Sequence, residues 1–393
     1  MTLIKSISGI RGIVGGKSGE ALTPIDIVKF SAAYGTWLVR NNPDNLKVVI
    51  GRDARLSGPM ASKLVIGTLQ GVGLNVIDLD LSTTPTVELA VQMESAAGGI
   101  ILTASHNPIQ WNALKLLNEK GEFISEQDGA EVLRIAEEED FIFVDVKKLG
   151  TYQQDNTYLQ KHVDHVLNLK LVDVEAIKAA NFKIVVDAVN STGGIAVPML
   201  LKALGVDSEN VKLLHCEPTG NFAHNPEPLP EHLRDISQEL NHGSYNLGIV
   251  VDPDVDRLAL MCEDGSPFGE EYTLVAVADY VLKNTPGNSV SNLSSTAALR
   301  DITLKSGGSY SASAVGEVNV VTMMKETNAV IGGEGNGGVI YPESHYGRDS
   351  LVGIALFLTS LAKFGKSASV LRKSFPNYYI SKNKIELTED INV

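Results

Sequence analysis

Short apolar runs alternate with longer stretches of helical period along most of this chain, and the alternation comes round three times. A helix from Thr23-Pro24 to Val39 is followed by a strand at 47–51, a polar loop from Arg52 to Ser57, a helix ending at Gly73 and a strand at 75–81. A second helix, 86–94, leads into Gly98-Gly99-Ile100-Ile101-Leu102, which reads as a buried strand and stops in a polar loop ending at Pro108. The pattern restarts with a strand at 182–187, a loop at 190–194, a helix, a strand at 211–216, a helix after Pro230 and a strand at 247–251 that delivers Asp252. It restarts again near Asn288, breaks at 294–296, and continues through a helix to a strand at 310–315. A helix at 318–325 and a strand at 329–331 then end at Gly332.

Strands alternating with helices predict an α/β protein with mostly parallel or mixed sheets. Self-similarity of this length predicts three related domains rather than a solenoid. The loops at 103–108, 252–257 and 332–338 hold the same place in each unit, after a strand, where open α/β sheets bind ligands. Units packed round a common centre would line one cleft with them. The expected domains are 1–150, 151–256 and 257–370, and 371–393 would begin a fourth, small α+β domain. Its segment 378–391 alternates like one or two strands with almost nothing to pair with.

A chain of 393 residues can bury several cores, each domain having its own. The formal net charge of −14 argues against a nucleic-acid or anionic-membrane partner. A phosphorylated ligand would have to meet locally placed Arg, Lys, helix N-termini or a metal ion. No apolar run approaches membrane-spanning length and the N-terminus lacks signal-peptide order, so a cytoplasmic protein is expected. Cys216 and Cys262 lie far apart beside apolar runs, which predicts buried free thiols.

The first loop offers the hydroxyl of Ser105, the imidazole of His106 and the amide of Asn107. In the second, Asp252, Asp254 and Asp256 alternate after a strand. If the segment is extended they share one side, and like charges that close need a cation. All-oxygen ligation suits Mg²⁺. A calcium loop fails because Arg257 stands where the sharp turn needs glycine and Leu258–Met261 continues as strand. A haloacid-dehalogenase-like D-x-D motif fits poorly at Asp256, and a solvated acidic turn is the blander alternative. In the third loop only Glu334 and Asn336 carry polar side chains, which suits sugar hydroxyls better than phosphate, although a plain flexible turn reads equally well. Lys115 interrupts an apolar return strand. It is either the exposed side of an edge strand or a desolvated amine whose lowered pKa would suit acid/base work. Arg11, among Gly9, Gly12 and Gly15, is an anion fork or part of a flexible arm. Ser105 lacks a nucleophile elbow and a triad signature. Facing a Mg²⁺ trap, it makes better sense as a phosphate carrier.

With these residues in view, the chain resembles the α-D-phosphohexomutase family. Thr103-Ala104-Ser105-His106-Asn107-Pro108 matches the family's phosphoserine loop, Asp252 to Arg257 its metal loop, Gly333 to Gly338 its sugar loop and Gly9-Ile10-Arg11-Gly12 its N-terminal arginine motif. The resemblance implies three α/β domains and a fourth phosphate-binding one around a central cleft. It implies phosphoserine at Ser105, Mg²⁺ on that phosphate and on Asp252, Asp254 and Asp256, and sugar bound by Gly333, Glu334, Gly335 and Asn336. Arg11, His106, Lys115 and Arg257 would serve phosphoryl transfer, with Lys115 as acid/base. The implied reaction moves phosphate between the 1- and 6-positions of a hexose phosphate through a hexose 1,6-bisphosphate. Phosphoglucosamine mutase is the leading expectation, with phosphoglucomutase/phosphomannomutase next, then a non-catalytic sugar-phosphate-binding protein, then a phosphatase. A homodimer is compatible with all of them. Where many members carry histidine after the sugar loop, this chain has Gly338, and the family's fourth-domain phosphate loop does not occur before Val393. A truncated chain with weakened turnover is the expectation.

Overall fold

The computed structural model describes residues 2–6 and 9–380. Of the strands expected at 378–391, all but residues 378–380, which are not strand, fall outside that range, as does most of the fragment 371–393. Among the described residues three sheets form, and they share one pattern. In the first, Trp111–Leu117, Gly98–Leu102, Lys47–Arg52 and Asn75–Leu81 lie side by side in that order. Leu258–Cys262, Leu247–Val251, Ile184–Asp187 and Val211–Leu214 repeat it, and Gly338–Ile340, Ala329–Glu334, Asn288–Asn292 and Tyr310–Ser313 repeat it again. In each, the last three pair parallel and the first is an antiparallel return strand. The first sheet gains Ile4–Ser6 and Gly9–Ile13 on one edge and Tyr152–Gln154 on the other.

The sequence dictates this arrangement locally. Val48, Val49 and Ile50, like Ile100, Ile101 and Leu102, are buried on both faces, which fits continuous apolar strands covered by helices. Gly98 is required by packing: a Cβ there would stand 2.5 Å from the Tyr34 hydroxyl, which donates to the carbonyls of Leu117 (2.6 Å) and Gly99 (3.0 Å). Thr23 and Asp26 close a capping box that starts helix Pro24–Asn41, and Asp349 caps helix Ser350–Phe364. No helix of the described residues is long and apolar enough to cross a membrane.

Several expectations change. Strand Ala329–Glu334 runs on through the glycines, so the expected loop at 332–338 is a tight hairpin closed by residues 335–337. The strands expected at 211–216 and 310–315 stop at Leu214 and Ser313. A cut at 150/151 would detach Tyr152–Gln154 from the first sheet, one at 256/257 would detach Leu258–Cys262 from the second, and one at 370/371 would split helix Ala368–Lys373. The second and third units do not have separate cores either. Helix Ser350–Phe364 is apolar nearly all round, and one continuous cluster joins Val186 and Ile249 to Phe357 and Ile331. Cys262 is buried as expected but Cys216 only half-buried; burial pushes both free thiols up to about 12.

Phe357, fully buried edge-on against Phe268 at 5.2 Å, lies in that shared core. Phe357→Ala should cost about 3–5 kcal/mol. Hydrogen exchange should then show strands Ile184–Asp187 and Ala329–Glu334 losing protection together; loss in only one would mean the units have independent cores.

Candidate active site

At the end of strand Gly98–Leu102 the chain turns through Ser105, whose φ of 49° is left-handed and whose amide donates to Thr103 Oγ1 at 2.9 Å. Arg55, wholly buried, fixes this loop. Its Nε donates to Asp53 Oδ2 (3.0 Å), and its two terminal nitrogens donate to the carbonyls of Pro108 (2.8 Å), Trp111 (2.9 Å), Asn107 (2.6 Å) and Ser105. All five N–H groups of the guanidinium are thereby used, and a loop without regular hydrogen bonding acquires one shape. The result aims Ser105 Oγ at the second unit, where it donates to Asp252 Oδ2 at 2.8 Å. His106 Nδ1 lies 3.3 Å from the same hydroxyl. Burial, with help from Arg257, lowers His106 to about 3, so its imidazole is neutral near pH 7.

Asp252, Asp254 and Asp256 are fully buried and offer carboxylate oxygens within 4.8 Å of one another. They do not converge by alternating along an extended segment. Residues 252–257 form a turn in which Val255 N donates to Asp252 O at 3.1 Å and Val255 takes a left-handed φ of 63°, unfavourable for a β-branched residue. The fully buried Val255 side chain anchors the turn in the core, and Asp252 Oδ1 accepts from the amides of Asp256 (3.2 Å) and Arg257 (3.1 Å). Burial, with repulsion from Asp256 and Asp254, holds the Asp252 carboxyl well above its usual range. Burial also pushes Asp256 up, but Arg348, Lys115 and Arg257 outweigh it and hold that group below the carboxylate range. Oδ1 of Asp254 and Oδ1 of Asp256 are buried without a hydrogen-bond partner. Orphaned, convergent carboxylate oxygens fit a hard divalent cation.

Lys115 Nζ donates to Asp254 Oδ2 (2.7 Å) and Asp256 Oδ2 (3.2 Å). Burial alone would lower its pKa, as expected from sequence, but the two aspartates outweigh burial and raise it, so Lys115 is a standing cation here. Thr84 adds a hydroxyl bond to Asp254 Oδ2 at 2.6 Å, tying the first unit to the second. From the third unit, Arg348 Nη2 reaches Asp256 Oδ2 (2.6 Å), its Nη1 reaches Glu334 Oε2 (2.9 Å) and its Nε reaches Glu317 Oε2 (2.8 Å). A cavity of about 760 Å³ opens between the units, and Arg11, Ser105, Lys115, Arg257, Glu334 and Asn336 all line it. Gly333 and Gly335 stand behind this lining. Side chains there would strike the carbonyls of Gly338 (2.0 Å) and Ser294 (2.7 Å). Burial and the neighbouring Arg257 lower the Arg11 pKa, the signature of two guanidiniums facing one space. Such a pair suits an anion.

Three family models match in order: the phosphoglucomutase/phosphomannomutase alpha/beta/alpha domains I, II and III, over residues 3–143, 160–265 and 269–379. The chain belongs to this family. Its similarity to a phosphoglucomutase/phosphomannomutase of Thermococcus kodakarensis is 34% identity over 97% of this chain and 82% of that protein. A phosphoglucosamine/phosphogalactosamine mutase of Sulfurisphaera tokodaii is 30% identical over 98% of this chain and 83% of that one. Among solved structures, a putative phosphomannomutase from Thermus thermophilus superposes with a TM-score of 0.85 at 25% identity, over 95% of this chain and 84% of that chain. The relatives are phosphohexomutases, which are isomerases.

Within this phosphohexomutase framework, Arg55, Glu317 and Arg348 are the site residues that sequence reasoning missed. None belongs to a spacing motif; Arg55 close after a strand and Arg348 just before the helix cap Asp349 were the available signals. Arg348 also explains Gly338: a Cβ there would lie 2.3 Å from Arg348 Cδ, so the arginine fills the space a larger residue would take. Behind the cleft, His162 and His345 both meet Asp349 Oδ2 through Nε2, at 2.9 and 3.1 Å. His162 Nδ1 meets Thr86 Oγ1 (2.8 Å), and His345 Nδ1 faces Glu88 Oε2 (3.4 Å). This buried polar chain ties the first unit to the third directly beside Arg348.

Mg²⁺ should raise the melting temperature, by the equivalent of about 2.7 kcal/mol at a hundred times its Kd. The shift should be larger at pH 8 than at pH 5, because Asp252, held above its usual range, keeps a proton at acid pH that it must lose to ligate. Asp254→Asn should shrink the shift; an unchanged one would place the ion elsewhere.

Proposed function

We propose that the chain interconverts the 1- and 6-phosphates of a hexose, with glucosamine phosphate as the preferred substrate, using Ser105 as the phosphoryl carrier. The observation that carries this reading is the 2.8 Å bond from Ser105 Oγ to a buried cluster of three aspartates. A serine hydroxyl set against carboxylates has little use as a nucleophile toward carbonyls, but a phosphate on that oxygen would share a divalent cation with them. Asp252, Asp254 and Asp256 would hold Mg²⁺, which when bound supplies charge stabilisation to the phosphoryl oxygens.

In the forward half-reaction the sugar hydroxyl loses its proton as its oxygen bonds phosphorus, and Ser105 Oγ regains one as its own bond to phosphorus breaks. The resulting hexose 1,6-bisphosphate turns over in the site and returns its other phosphate to Ser105. Arg11 and Arg257 suit the substrate's phosphate. Lys115, charged while it pairs with Asp254 and Asp256, is able to give its proton to a leaving oxygen once a cation takes over their charge. His106, held neutral and a poor base by its lowered pKa, stands 3.3 Å from Ser105 Oγ and adds no charge beside a phosphoryl group there. Glu334 and Asn336 line the sugar side, and the cleft between the units would keep water from the phosphoserine. Names of relatives favour an amino sugar, while the 34% identical relative, named phosphoglucomutase/phosphomannomutase, keeps glucose and mannose phosphates as the second reading.

³¹P NMR of glucosamine 6-phosphate with the protein, Mg²⁺ and a trace of glucose 1,6-bisphosphate should show glucosamine 1-phosphate appearing. Ser105→Ala should lower the rate on the order of 10³-fold or more, the scale of removing a group on which the chemistry depends. Release of inorganic phosphate in place of the 1-phosphate would identify a phosphatase and overturn the reading.

A further inference from the structure

Two carboxylates from the third unit line the cleft, and they are not equivalent. Glu334, the one the sequence singles out, is saturated. Its Oε1 accepts from Asn292 Nδ2 (2.7 Å) and the Gly316 amide (3.3 Å), and its Oε2 accepts from Arg348 Nη1 (2.9 Å) and Asn336 Nδ2 (3.4 Å). A carboxylate has about four acceptor positions, so each of those of Glu334 is already engaged, two of them by long contacts. Glu317, at the start of helix Glu317–Thr327, is only 8% exposed and lines the same cavity. Its Oε2 accepts from Arg348 Nε (2.8 Å), while its Oε1 has no partner among the described residues.

We propose that Glu317 is the specificity-determining residue of the sugar site, its free Oε1 accepting from the ammonium group of an amino sugar. This rests on the phosphohexomutase reading above and names its substrate class. Charge balance supports it. Arg348 is the one cation paired with both Glu317 and Glu334, and it is shared with Asp256, which Lys115 also meets, so the two glutamates leave this wall of the cleft short of positive charge. Burial pushes the Glu317 carboxyl up to about 7. Arg348 and Lys115 pull it down, Asp256 and Glu334 add to the rise, and the buried Glu88 faces it from the first unit. A cationic substituent would keep the group ionised and satisfy it; the neutral hydroxyl of glucose or mannose would do so only weakly. The substrate's phosphate, of opposite charge, has Arg11 and Arg257 from the first and second units.

Isothermal titration of the Mg²⁺-loaded protein with glucosamine 6-phosphate and with glucose 6-phosphate tests this. Wild type should prefer the amino sugar, and Glu317→Gln should cut that preference about tenfold or more, as expected for losing a hydrogen bond to a charged group. Glu317→Asp, which keeps the charge but withdraws it by one methylene, should cut it less, and it serves if the glutamine variant does not fold. An unchanged ratio in both variants, including an equal loss for both sugars, would overturn the proposal and leave Glu317 as a prop for Arg348. Equal wild-type affinity for the two sugars would overturn it as well, while wild type binding neither sugar phosphate would overturn the phosphohexomutase reading beneath it.

Discussion

The repulsion among Asp252, Asp254 and Asp256 is the constraint on which the rest of the molecule depends. Three carboxylates buried within 4.8 Å of one another are stable only if cations surround them, and no single unit supplies enough. The first unit brings Lys115 and the hydroxyls of Thr84 and Ser105, and the third brings Arg348. The carboxylates therefore act as the point at which three otherwise similar sheets are held in register. Two orphaned carboxylate oxygens remain at the centre, where a divalent cation would complete the balance.

The repeat makes this convergence economical. Each sheet has the same strand order, with a parallel strand that ends at the cleft and an antiparallel strand that returns from it. The strand-to-strand turn is then the one place in each unit free to vary without disturbing the sheet. Ser105, the three aspartates and the hairpin after Glu334 occupy those turns. Three copies of one scaffold thus present a hydroxyl, a carboxylate cluster and a hairpin carrying Glu334 and Asn336 to one space. The shared core around helix Ser350–Phe364 and the buried Glu88–His345–Asp349–His162 chain fix the third unit against the other two.

Much of this was legible in the sequence because it is local. The α/β alternation, the three turns and the residues Ser105, Asp252, Asp254, Asp256, Glu334 and Asn336 all follow from short-range pattern. What escaped is long-range. Arg55 binds carbonyls 50 to 56 residues away and Arg348 a carboxylate 92 away, and neither has a spacing that announces its partners. The aspartates meet through a strained turn at Val255 instead of by strand alternation, because the buried valine anchors the bend. For Lys115 the sequence leaves open an exposed edge-strand position or a desolvated amine with a lowered pKa. Burial does act in that direction, but two carboxylates from another unit reverse it. Glycines 332 and 333 read as loop and are strand, since tight packing against Met324 and the Gly338 carbonyl leaves no space for a Cβ.

The central claim is that Ser105 carries phosphate against the aspartate cluster. Intact-mass measurement with peptide mapping, on freshly purified protein and after incubation with Mg²⁺ and glucose 1,6-bisphosphate, tests it most directly. The account predicts one added phosphate, mapped to Ser105 and absent from Ser105→Ala. A Ser105 that stays bare under both conditions would contradict it and leave a sugar-phosphate-binding cleft without a carrier.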